Sequence, residues 1–330
     1  MNQSYKFLVI LLLAATVLVA CGGQEAAPAE DDAFKVGLLS PGSVNDDGWN
    51  SIAYGALTRI EEELGAEISY VELEQDPASF EKAFRDYASE GYDMILGHGF
   101  EFQDAAVTVS KEYPETAFFI SSSRIHDGNV VGLNTDSSQP FYLMGIIAAM
   151  TSPSAGFVGG MEIPPISEAL TGFEEGAKSV DPNYNVSGTF IGNFTDSAAA
   201  KEAALGMLSG GATFIVPDAD VAGLGVFQAV SEAGPEIGTF GAFTDATDNA
   251  PNNIYGNYFA DYGQGIVNIA KQVKEGTFNP TGNIEFGLAN EDVMWIEYND
   301  GKPLPADVMA AVEEAKQAII DGTIDTLPGN

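Results

Sequence analysis

Cysteine occurs once in this chain of 330 residues, and histidine and tryptophan twice each. The lone Cys21 excludes an intramolecular disulfide. His98 and His126 have no second His or Cys at ligand spacing, so a zinc-type centre is not expected. Bases are scarce: 13 Lys and Arg stand against 48 Asp and Glu, a formal charge of −35. That balance argues against nucleic acid or an anionic membrane surface as the partner, and an acid excess of this kind serves solubility first. Nor is there a Walker loop, or a Gly-x-Gly-x-x-Gly after the first strand. Ser121, Ser122 and Ser123 lack both a nucleophile elbow and a paired His. Long apolar runs are missing too, except one at the start.

That run covers residues 7–20, behind Lys6, and its 14 residues fall short of the roughly 20 a membrane span needs. Residues 1–20 therefore read as a signal peptide. The run ends Leu18-Val19-Ala20-Cys21-Gly22-Gly23, which resembles a bacterial lipobox. The resemblance implies that Cys21 is lipidated and becomes the new N-terminus, anchoring the chain to the cell membrane on its extracytoplasmic face. Residues 22–33 have no periodicity and read as a flexible tether.

The rest has the composition of a globular protein, 45% hydrophobic and 18% charged, with length enough for two lobes. Residues 36–64 set the pattern. Val-Gly-Leu-Leu-Ser is a short strand, Pro41-Gly42-Ser43 a turn, and Asn45-Asp46-Asp47-Gly48 a polar loop ending at Trp49. Ile52, Ala53, Ala56, Leu57, Ile60 and Leu64 then recur at helical spacing. Strands are expected near 35–40, 68–73, 94–97 and 117–121, with helices near 50–64, 77–90 and 102–112. A second half repeats the rhythm: strands near 156–160, 185–191, 213–216 and 238–243, helices near 166–179, 196–209 and 223–233. Such alternation implies parallel βαβ sheets. Gly132 to Asp136, followed by an apolar helix over 141–150, reads as the passage between halves. After Phe243 come a polar loop, a strand near 254–259, a helix near 262–275, strands near 283–286 and 293–298, and a closing helix over 306–320.

In open α/β sheets ligands sit outside the carboxyl ends of strands. Trp49 and Asp46 stand at such an end, where a flat ligand with hydrogen-bond donors would fit. Asp46 could equally cap the helix, and Trp49 could be an anchor between helix and loop. His98 and Phe100 follow a strand between glycines that let backbone approach closely. Asp218 and Asp220 precede the helix at Gly223, as ligand acceptors or as caps. Asp245 ends another strand.

Four stretches together resemble the basic membrane protein family of substrate-binding lipoproteins. They are Asn45-Asp46-Asp47-Gly48-Trp49-Asn50, Gly159-Gly160-Met161-Glu162-Ile163-Pro164, Gly223-Leu224-Gly225-Val226-Phe227, and the lipobox. The resemblance runs from about Phe34 to Tyr298. It implies a type I periplasmic-binding-protein fold, with two Rossmann-like lobes of parallel sheet joined by a hinge. The expected lobes are 34–134 plus about 254–284, and about 135–253 plus 285–330. It also implies a purine nucleoside or nucleobase-like solute held in the interlobe cleft, an ABC permease as membrane partner, no cofactor and no catalysis. The acidic loop of the family falls on Asn45, Asp46, Trp49 and Asn50, and its stacking aromatic on Tyr54. This chain departs from the family where Val216-Pro217-Asp218 replaces a second aromatic or His, where Phe243 replaces the first Asp of the motif that keeps Asp245, and where an expected Lys is missing near Tyr258. The base-binding half is therefore better kept than the ribose-binding half. The rival readings are an exported nucleoside hydrolase using Asp46 and Asp47, and a sensing receptor of the same fold.

Overall fold

Strand, turn and helix follow one another as the apolar periodicity demands. The computed structural model describes residues 33–45, 49–74, 76–243 and 245–328. The signal peptide, Cys21, Asp46, Asp47 and Thr244 lie outside the described residues. The chain divides at Phe34, and Lys35–Asn330 folds as one unit.

The first half comprises β1 (Lys35–Ser40), α1 (Trp49–Leu64), β2 (Glu67–Glu72), α2 (Pro77–Ser89), β3 (Met94–Gly97), α3 (Gln103–Ser110), β4 (Ala117–Ser121), β5 (His126–Asp127) and β6 (Val130–Thr135). Next come α4 (Ser138–Thr151), β7 (Ser154–Gly159), α5 (Pro164–Val180), β8 (Asn185–Phe190), α6 (Ser197–Ser209), β9 (Phe214–Asp218), α7 (Leu224–Ala233) and β10 (Thr239–Ala242). The chain closes with β11 (Ile254–Ala260), α8 (Tyr262–Lys274), β12 (Ile284–Phe286), β13 (Met294–Tyr298) and α9 (Ala306–Ile320). Helix starts are chemically marked: Asp76, Asp196 and Asp261 each accept a backbone N–H of the first turn, as capping residues do.

The first sheet runs β12-β6-β4-β3-β1-β2, parallel throughout, with β5 antiparallel beside β6. The second is built from β8-β7-β9 and β10-β11-β13. A bridge at Phe214 and Gly238 joins the two parts, through Ile215 N donating to Gly238 O at 3.0 Å and Gly238 N to Thr213 O at 2.8 Å. Phe84, Phe102 and Phe118 fill the core of the first lobe. Phe141, Phe157, Phe173 and Phe214 fill that of the second.

The chain passes between lobes at three places, from β6 to α4, from β11 to α8 and from β12 to β13. The passages lie side by side. Asp136 N donates to Phe286 O at 2.9 Å, Leu288 N to Gln139 Oε1 at 2.8 Å, and Asp261 N to Val293 O at 2.7 Å. The middle passage differs from the one expected near 254. β11 pairs with β10 and β13 in the second lobe, so the chain crosses only after Ala260, and β12 carries the first lobe on to Phe286. All three passages leave from the carboxyl ends of strands. The carboxyl edges of the two sheets therefore face each other, which puts the strand-end loops where the site must be sought.

Candidate functional site

On the first lobe those loops gather aromatic rings. Trp49 opens α1 and is exposed on one side, while its other face stacks on His98, with ring centroids 4.2 Å apart and planes 25° apart. His98 is buried. Its Nε2 lies 2.9 Å from the Trp49 carbonyl and its Nδ1 3.0 Å from Ser121 Oγ. A carbonyl only accepts, so Nε2 carries a proton, while Nδ1 shares a hydrogen bond with the Ser121 hydroxyl. The Tyr262 ring lies 5.9 Å from Trp49. Its hydroxyl sits beside Ser121, and burial raises its pKa. His98 therefore backs and orients Trp49 from behind. Asn50 is tied to Ser40, whose hydroxyl donates to Asn50 Oδ1 at 3.1 Å. Asn45 and Phe100 are exposed on neighbouring loops. Asp46, beside Asn45, is outside the described residues.

Tyr54 is not brought to this group. It meets Tyr70 of the edge strand β2 edge-on, with centroids 5.0 Å apart. Helical spacing could not separate these two placements. No motif in the sequence marks Tyr262 or Tyr258 as a site residue, and Ser121, expected to have no paired His, lies 3.0 Å from His98 Nδ1. Tyr262 follows the cap Asp261 at a strand-to-helix junction like that of Trp49, and that signal could have found it.

The facing edge of the second lobe is apolar. Met161, Val221 and Phe243 after β7, β9 and β10, and Leu224 at the start of α7, are large exposed hydrophobic side chains. A cleft of about 240 Å³ opens at the ends of β9 and β10 between Pro217, Val221, Leu224 and Phe243, with Asp220 and Asn249 as its polar members among the described residues. This is below the roughly 300–1,000 Å³ of a complete ligand site, as expected of one wall. Phe243 has φ +66°, Asp220 +49° and, on the opposite lobe after β4, Ser122 +54°. Left-handed backbone at a non-glycine residue costs about 1–3 kcal/mol and clusters at binding sites. The Phe243 ring rests against Tyr258, 5.0 Å between centroids.

The two remaining acids are placed differently. Asp245 Oδ1 accepts from Thr247 N at 2.9 Å and Asn257 Nδ2 at 3.1 Å. The Thr247 bonds chiefly lower its pKa. Asp218 turns from the cleft into the core, where burial pushes its pKa up to about 7. Its Oδ2 and the Tyr258 hydroxyl are buried without a hydrogen-bond partner among the described residues. Tyr258 lies near Ser137, but no well-formed hydrogen bond joins them.

Beside the passages Arg124 spans the lobes. Its Nη1 and Nη2 donate to Glu168 of α5 at 2.9 and 2.8 Å, and its Nε to Glu285 of β12 at 2.9 Å. The guanidinium is half exposed, so the latch contributes about 1 kcal/mol at most. Arg124→Ala is expected to open the ligand-free protein, seen as a larger radius of gyration in X-ray scattering, and to weaken solute binding by no more than about fivefold. An unchanged scattering profile would show that the ion pair does not hold the lobes.

Among the described residues, no three His, Cys, Asp or Glu side chains gather as a metal site requires, and no helix is long and apolar enough to cross a membrane. The rival hydrolase reading rests on Asp46 and Asp47, which are outside those residues.

A family model described as ABC transporter substrate-binding protein, PnrA-like, matches residues 33–326. Basic membrane protein A1 of Borrelia garinii subsp. bavariensis is 27% identical over 326 residues, covering 97% of this chain and 95% of that protein. A purine-binding protein of Brucella abortus is 26% identical over 308 residues, covering 92% and 85%. The solved solute-binding protein of an ABC transporter system from Conexibacter woesei superposes with a TM-score of 0.64 at 26% identity, covering 89% of this chain and 98% of that one. The two lobes with facing carboxyl edges are thus the type I periplasmic-binding-protein fold.

Proposed function

We propose, from the premise that this chain belongs to the PnrA-like family of ABC transporter substrate-binding proteins, that it is a lipid-anchored receptor for a purine-like solute. Members of that family bind a small molecule outside the cytoplasm and work with a membrane permease. Purine as the solute, Cys21 as the anchor and the lobe assignment of the site are our reading.

One observation carries it. Each facing edge offers an exposed aromatic ring backed by a buried one, Trp49 on His98 and Phe243 on Tyr258. A planar solute entering between the edges finds ring faces on both sides. The purine-binding relative from Brucella supports the same class. Asn45 and Phe100 line the rim of the first lobe in this reading, while His98 and Asn50 hold the loop in place. Tyr54 packs on Tyr70, so this reading gives the stacking to Trp49 and Phe243. The closed protein then docks on its permease.

The test is calorimetry with a panel of nucleobases and nucleosides against the wild type and Trp49→Ala. Stacking on one aromatic is worth about 1–3 kcal/mol, so the variant should bind about five- to 150-fold more weakly. Failure of every panel member to bind the wild type would reject the purine assignment. Equal affinity in the variant would reject the site.

A further inference from the structure

We infer that the solute is a free nucleobase, or a similarly unhydroxylated planar heterocycle, and not a nucleoside. This rests on the purine reading above and narrows it. A ribose brings hydroxyl groups that must each find a partner once buried, because an unpaired buried polar group is costly. Among its described residues the second-lobe wall offers few such partners. Pro217, Val221, Leu224 and Phe243 present carbon to the cleft, and Asp220 and Asn249, the polar members among the described residues, are exposed at its margin.

Nearby polar side chains are already engaged. Asn257 uses its Oδ1 on Ala246 N at 3.0 Å and its Nδ2 on Asp245 and Thr247 at 3.1 and 2.9 Å. Asp245 is held by the same network. Asp218 points into the core on the opposite face of β9 from Pro217 and Ala219, which line the cleft. No Lys or Arg is among the described lining residues, so a phosphate is disfavoured as well, the more so beside a formal charge of −35. The first lobe supplies ring faces and the second a carbon wall. Together they favour a solute whose polar atoms lie on the edge of a ring.

The two strained residues bear on the same point. Phe243 and Asp220 hold left-handed backbone. At Phe243 this carries an aromatic ring to the cleft margin, where an extended residue would send it elsewhere.

The experiment pairs each base with its nucleoside: adenine with adenosine, guanine with guanosine, hypoxanthine with inosine. At least one base should bind the wild type tenfold or more tightly than its nucleoside. Val221 and Leu224 are exposed, so Val221→Ser and Leu224→Asn should fold, and they are expected to narrow that preference severalfold by wetting the wall. A nucleoside that binds as tightly as its base, or more tightly, overturns this inference and leaves the purine reading standing. If neither bases nor nucleosides bind, both fall together. A preference that survives both substitutions unchanged overturns the assignment of the wall.

Discussion

Replacing Gly176 by alanine is expected to destabilise the protein by about 3 kcal/mol or more, at the upper end of what overpacking costs. Helices α4 and α5 cross backbone to backbone through glycines contributed by both. A Cβ at Gly176 would strike the Tyr142 carbonyl oxygen, one at Gly172 the Ser138 carbonyl, and one at Gly145 the Phe173 carbonyl, all inside van der Waals contact. Backbone cannot step aside as a side-chain end can. The strain would reach the passages between the lobes, because α4 begins where the chain enters the second lobe. Gln139 on its first turn accepts from Leu288 N, and Asp136 N just before it donates to Phe286 O. The control is Gly206→Ala in α6, where an added Cβ meets nothing within 4 Å. There alanine should stabilise by up to about 1 kcal/mol through helix propensity. Urea unfolding of the pair would show opposite signs. A loss below about 1 kcal/mol at Gly176 would mean that the helices separate easily.

The same crossing shows what the sequence could and could not tell. Local periodicity was enough for most elements: the closing helix over 306–320 coincides with α9, and the βα alternation holds through both lobes. β6, Val-Val-Gly-Leu-Asn-Thr, carries a glycine and an asparagine, which weaken its strand pattern. Gly132 is there because the backbone of Ser123 and Ile125 passes over it too closely for a Cβ. The pattern over 254–259 marks a strand but not its sheet, and β11 pairs with β10 and β13 rather than in the expected first lobe. Which sheet a strand joins depends on pairing with residues far away, and nothing in its own pattern records that. The site divides along the same line. The strand-end rule points to Trp49, His98 and Phe100, while Phe243 comes only from the family resemblance. Tyr54 has the spacing of any helical aromatic, and its packing on Tyr70 is a tertiary fact. That His98 backs Trp49, and that Asp218 faces inward, follow from side-chain directions that appear only once the strands are aligned.

Asp218→Asn should raise stability at pH 8 by as much as about 4 kcal/mol and leave it nearly unchanged at pH 4. The carboxyl is buried near Tyr258, with Oδ2 unpartnered among the described residues. Burial lifts its pKa from 3.8 to about 7 in the fold. Between these values the folded protein holds a proton that the unfolded chain has released. The unfolded state therefore binds fewer protons, and stability falls as pH rises. The loss starts near the unfolded pKa of about 4 and is complete above the folded value near 7, beyond which this group adds no further slope. Tyr258 stays neutral throughout, since burial raises its pKa further above 10. Asparagine matches the protonated acid in shape and does not titrate, so the variant should lack this part of the pH dependence. Thermal melts of both proteins from pH 4 to 9 would separate the cases. Converging curves at low pH and a widening gap toward pH 8 require a desolvated acid. Parallel curves would mean that Asp218 is ionised in the fold and compensated by a cation or donor that the described residues do not supply, and the inner face of β9 would then have to be polar.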